Sequence, residues 1–175
     1  MKLYIKKKEE EYKDYIKEHI NNVKKAWNKM KESDNILEVI SDFLDDNNNL
    51  DLFIVQVNAN INNHDNSKYS KEEFDAYRKH FFPISDEEKE LSKEEFETAW
   101  RHHYTHNLHH YDWWYENNKL DNMPIMYVVE MICDWEAMSY KFGTNTKEWY
   151  YKNIDTEIHL GEKQRRLTER ILELL

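Results

Sequence analysis

Two glycines and two prolines in 175 residues leave this chain few means of turning sharply or of breaking a helix. Both residue types punctuate secondary structure, so their scarcity predicts helices joined by short polar connections. Apolar residues recur at the matching spacing. From about 7 to 31, Tyr12, Tyr15, Ile16, His19, Val23, Ala26, Trp27 and Met30 follow one another at three- and four-residue steps, with lysines and glutamates between them. That pattern is one apolar face of an amphipathic helix. "SDNILEVISDFL" offers Ser33 or Asp34 as N-cap of a second helix reaching about Leu44. After an asparagine turn, Leu52, Phe53, Val55 and Ile61 mark a third, ending in "NNHDNSK".

Two "SKEE" stretches, 70–73 and 92–95, read as capping boxes. The first opens a helix to Phe82, stopped by Pro83, and the second opens a histidine-rich helix to about Asn118. Pro124 and Gly143 frame the next helix in the usual order, and "TKEWYYKN" and "EKQRRLTERILELL" supply two closing ones. The predicted fold is all-α, a helical bundle of about seven or eight helices in one domain spanning 1–175. Aromatic residues make up 14% of the chain, so its core is expected to be built on Tyr, Trp and Phe.

Charge limits the partners. A net charge of -10 counts against a grip on the phosphates of a nucleic acid duplex and against an anionic membrane surface. A phosphate ligand would then need local positive charge, which a bound metal supplies. Cys133 is the sole cysteine, which excludes an intramolecular disulfide and fits a reducing interior. The start, "MKLYIKKKEEEYKDY", has no apolar stretch long enough for a signal peptide, so a cytoplasmic protein is expected.

Five of the nine histidines fall in "AWRHHYTHNLHHYDWW". On a continuous helix His102, His103, His106, His109 and His110 would share an arc of roughly 120°. Histidines one turn apart can grip one ion, so this stripe suggests metal ligation. The plainer alternative is a polar stripe, each imidazole hydrogen-bonded to a tyrosine or carboxylate. His64 and Asp65 place an imidazole beside a carboxylate. Glu130 and Asp134 lie four apart in the otherwise apolar "EMICDW" segment, where buried carboxylates require a cation or strong donors. A salt bridge to Arg101 or Lys68 would also answer that need. His19 stands inside an apolar stripe, where a hydrogen-bonded core histidine is the default.

Taken in order, His19, "HDNSK", the single histidines, His109–His110 and Asp134 resemble the H…HDxxK…H…HH…D pattern of the HD-domain superfamily of metal-dependent phosphohydrolases, closest to its multi-metal branch. His102, His103 and His106 all compete for the single histidine, and the "GYP" loop of that branch is absent. The blocks "HDNSKYSKEEFDAY", "AWRHHYTHNLHHYDWW" and "MPIMYVVEMICDWEAM" also look like those of short uncharacterised phage and bacterial proteins. The HD resemblance implies one or two divalent ions (Mn, Fe, Zn or Mg). His19, His64, Asp65 and Asp134 would hold one, and Asp65 would bridge to a second on the stripe of His103, His106, His109 and His110. It further implies Lys68 and Glu130 as catalytic groups, Asn107 and Arg101 as substrate contacts, and a small phosphorylated substrate, a nucleotide or cyclic dinucleotide, in a bacterial or phage-infected cell. Two other functions fit the same residues: a di-iron oxygenase, and a non-catalytic nucleotide-binding, anti-defence protein.

Overall fold

A computed structural model describes residues 2–44 and 49–175, and most of the asparagine turn lies outside them. Among the described residues the chain is helical: α1 (Lys2–Lys31), α2 (Asp34–Ser41), α3 (Leu50–Asn63), α4 (Phe74–Phe81), α5 (Asp86–Leu91), α6 (Lys93–His106), α7 (Tyr111–Glu116), α8 (Ile125–Phe142), α9 (Thr146–Asn153) and α10 (Glu162–Leu172), with 3-10 turns at Asn66–Tyr69 and Leu120–Asn122. The all-α expectation holds, with more and shorter helices than the spacing suggests. No helix among these residues is long and apolar enough to cross a membrane.

The chain forms two compact units, Met1–His19 with Asp65–Asn107, and Ile20–His64 with Leu108–Leu175. In the first, α4 packs on α5 and α6. Its interior holds Tyr12, Ile16, Ala76, Tyr77, Ala99 and Tyr104, and the Tyr12 ring lies 5.1 Å from Phe74 and 5.7 Å from Phe82. One ion pair is built into it. Arg78, 3% exposed, donates two hydrogen bonds to the Glu88 carboxylate at 2.8 and 2.9 Å. Glu88 also accepts the Ile84 N–H, and Ser85 caps α5 by accepting from the Glu88 N–H.

In the second unit α3 and α10 pack on α8, and α2 lies against α10. The core joins Val23, Trp27, Met30, Ile40, Phe53, Val57, Val128, Ile132, Leu167 and Ile171. α8 is buried along most of its length, as a continuous apolar run requires. Pro124 precedes its first turn, and Gly143, at φ 65, closes it in the left-handed conformation that glycine adopts without a Cβ clash. Two polar side chains tie the elements together: Trp27 Nε1 donates to Asn58 Oδ1 at 2.7 Å, and Gln164 Nε2 donates to the Asp121 and Met123 carbonyls.

Two expected helices differ. The histidine-rich helix stops at His106 and resumes at Tyr111. Asn107 leaves helical geometry at φ -120, ψ 87, and its amide donates to Ser67 Oγ and the His103 carbonyl instead. The five-histidine arc on one helix therefore does not exist. The first "SKEE" is not a capping box, because α4 begins only at Phe74 and Glu73 makes no side-chain cap. The second starts α6, but Ser92 donates back to the Lys89 carbonyl rather than capping.

Candidate metal centre

In the first unit the site is arranged around Asp65. α3 ends at His64, and Asp65 adopts a left-handed conformation (φ 56, ψ 16), which Asp tolerates better than most residues. The 3-10 turn that follows brings Lys68 back over it. Asp65 is 1% exposed. Its Oδ2 lies 3.3 Å from His19 Nε2 and 2.6 Å from Lys68 Nζ, and its Oδ1 lies 3.2 Å from His103 Nε2. The other side of His103 belongs to Glu73, which is fully buried. One Glu73 oxygen accepts from His103 Nδ1 at 2.8 Å and the other from His102 Nδ1 at 2.7 Å. Burial pushes the Glu73 carboxyl up, but the hydrogen bonds and charge of the imidazoles outweigh it and hold the group below its ordinary value.

Two phenols complete this environment. The hydroxyls of Tyr12 and Tyr77 are buried with no hydrogen-bond partner. Burial, followed by the nearby Asp65 and Glu73 charges, raises both hydroxyls far above the usual phenol range.

The second unit repeats the device. Glu130, on α8 and 4% exposed, accepts from His64 Nδ1 at 2.9 Å, and His109 Nδ1 lies 3.3 Å from the same oxygen. Burial opposes its charge, yet His109 and His64 together draw the Glu130 carboxyl down to about 2. Asp134, one turn later on α8, lies 3.8 Å from His109 Nε2. His109, His110 and Asp134 each bring a ligand atom within 4.8 Å of the other two, so the trio can hold a metal ion.

Proton accounting gives these contacts chemical meaning. An ionised carboxylate only accepts, so the imidazole nitrogen facing Glu73 or Glu130 carries the proton. A neutral His103 then turns the lone pair of Nε2 toward Asp65 Oδ1. Two electron-rich atoms at that separation call for a second ring proton or for a cation that both can bind. His109 is placed the same way between Glu130 and Asp134. A carboxylate behind the distal nitrogen is also the usual support for a metal-binding histidine, because it sets the tautomer and raises ligand basicity.

The other sequence candidates, and further aromatic and histidine side chains, are distributed as follows. Asn107 is engaged by Ser67 and by the His103 carbonyl. Arg101 is exposed on α6. His106 is exposed too and does not join the groups around Asp65; its ring stacks on His102. Tyr77 and Trp114 are core residues, whereas Tyr69 is 43% exposed. His80 stacks on Phe96 and His159 on Tyr115, apart from either carboxylate–imidazole set.

Sequence reasoning missed Glu73. Nothing local separates it from Glu95 of the second "SKEE", which forms an exposed pair with Lys79. Tyr12 was readable only as a core residue.

A family model described as a family of unknown function, DUF5662, matches residues 8–174, and the chain belongs to that family. No curated protein and no solved structure matches it.

Proposed function

We propose that this DUF5662 member is a metal-dependent hydrolase of a small phosphorylated molecule, with nucleotides or cyclic dinucleotides as the substrate class. The observation that carries the reading is His103, a fully buried imidazole with a carboxylate at each ring nitrogen. His109 between Glu130 and Asp134 supports it. Burying that many ionisable groups costs several kcal/mol each unless they are paired or coordinate a metal. The H…HDxxK…HH…D order favours phosphoryl chemistry, and the mixture of nitrogen and oxygen donors suits Mn, Fe or Zn better than Mg.

The donors are of the kinds a divalent ion takes: His19 and His103 flank the two oxygens of Asp65 in one unit, and His109, His110 and Asp134 bring their ligand atoms within 4.8 Å of one another in the other. Bound there, such an ion would lower the pKa of a water and clamp a phosphoryl oxygen. The chain's own groups prepare for this. Glu73 and Glu130 keep protons on Nδ1 of His103 and of His64 and His109, so that Nε2 remains a donor. Glu130, held by two imidazoles, thus acts through them rather than as a free base. Lys68 balances the Asp65 charge and would turn to a phosphoryl oxygen when a cation takes its place. The Tyr12 and Tyr77 hydroxyls offer two buried O–H donors near Asp65.

The test is elemental analysis of protein purified without chelator, followed by phosphate release from nucleotides and cyclic dinucleotides with added Mn(II). Stoichiometric metal, and turnover abolished by Asp65→Asn, are expected. Metal-free wild-type protein that gains no activity with Mn(II), Fe(II) or Zn(II) overturns the hydrolase reading. Tight nucleotide binding without turnover would mark a sequestering protein, and an iron-dependent absorbance change with oxygen an oxygenase.

A further inference from the structure

α6 ends in a pair of accessible histidines, His102 and His106, the first of them bonded through Nδ1 to the buried Glu73. We infer that His102 and His106 form a separate surface site for a borderline divalent cation such as Cu(II), Ni(II) or Zn(II). They are one helical turn apart, the spacing at which two imidazoles can grip one ion. Their rings stack at 4.0 Å with 21° between planes, and both remain accessible: His106 is exposed and the His102 side chain is 27% exposed.

Hydrogen bonding selects the tautomer at both positions. His102 Nδ1 donates to the buried Glu73 carboxylate at 2.7 Å. His106 Nδ1 donates to the His102 carbonyl at 2.8 Å. A carboxylate and a carbonyl can only accept, so both Nδ1 atoms carry protons, and in the neutral rings it is Nε2 that offers the lone pair. Paired imidazole donors with no oxygen ligand favour Cu, Ni and Zn over Mn or Mg. With metal–nitrogen bonds of about 2.0–2.1 Å, a tetrahedral ion needs its two nitrogens about 3.3 Å apart. The stacked rings have to turn about their side-chain bonds so that the two Nε2 lone pairs converge on the ion. Two protein ligands leave the other coordination positions open, so an ion here would exchange with solvent and accept a ligand from outside. This chemistry differs from that of the buried sets, where the carboxylates of Asp65 and Asp134 stand beside the Nε2 atoms of His103 and His109.

The experiment uses Cu(II)–nitrilotriacetate as probe, because the chelator leaves two coordination positions free and is too bulky for the buried imidazoles. Electron paramagnetic resonance of the wild-type chain should show a species with two imidazole nitrogens, lost in both His102→Ala and His106→Ala. That signal should persist in the His80→Ala/His159→Ala double variant, which removes two histidines outside this pair. Circular dichroism of the two single variants checks that they keep the helical spectrum. A folded His106→Ala that still shows the two-nitrogen signal, or a wild type that never shows it, overturns the inference.

Discussion

Replacing Glu73 with glutamine isolates the part of the site that depends on charge-assisted hydrogen bonding. The wild-type carboxylate accepts from two imidazoles, at 2.7 and 2.8 Å, with no exposure to solvent. A hydrogen bond to a charged group contributes about 1.5–3 kcal/mol. The amide keeps the shape and one acceptor but sets an NH2 against the second Nδ1, so one of the two bonds is lost. Glu73→Gln should therefore cost about 2 kcal/mol, and Glu73→Ala, which removes both acceptors, about 4 kcal/mol. Against a typical stability of about 5–15 kcal/mol, either is a large fraction. With a urea slope of about 2 kcal/mol/M, the glutamine variant should unfold about 1 M earlier than wild type. The amide also releases the His103 tautomer, so metal affinity should fall about 10–100-fold. Glu72→Gln, one residue away and exposed, is the control and should change neither quantity. Urea unfolding followed by circular dichroism, with a metal titration on the same samples, reads both effects. A Glu73→Gln protein that unfolds at the wild-type midpoint and binds metal equally well would refute the reasoning.

Two further changes probe the scaffold. Glu88→Ala strands the Arg78 guanidinium, which is 3% exposed, and should cost about 3 kcal/mol at neutral pH. The hydrogen bond from Arg78 holds the Glu88 carboxyl below its ordinary value of 4.5, so the wild-type advantage is present above that pH and fades as pH falls below it; equal gaps at pH 7 and in strong acid would refute this. Gly161→Ala places a Cβ 2.5 Å from Asp121 Oδ1, 2.6 Å from Gln164 Oε1 and 2.9 Å from the Asp121 Cα. A backbone atom cannot rotate away, so a loss of about 1–3 kcal/mol is expected as a lower thermal midpoint.

Much of the architecture is readable from local order. Apolar steps of three and four put Tyr12, Ile16, Val23, Ala26, Trp27 and Met30 on the buried face of α1, where all are at most 2% exposed. Pro124 and Gly143 frame α8 as their backbone preferences demand. The four-residue step from Glu130 to Asp134 puts two carboxylates on one face of that helix whatever surrounds it.

What local order could not decide is which groups meet. The histidine run has the spacing of one long helix and contains no proline or glycine, yet it breaks at Asn107, whose amide finds Ser67, forty positions earlier in the chain. The two "SKEE" stretches are identical, but one glutamate is buried against two imidazoles and the other stays on the surface. His64 reaches Glu130 across 66 positions. Periodicity assigns a side chain to a face because it depends only on the pitch of the helix. The partner on that face depends on packing between distant segments, where burial makes an unpaired charge costly, and only the folded chain sets those pairs.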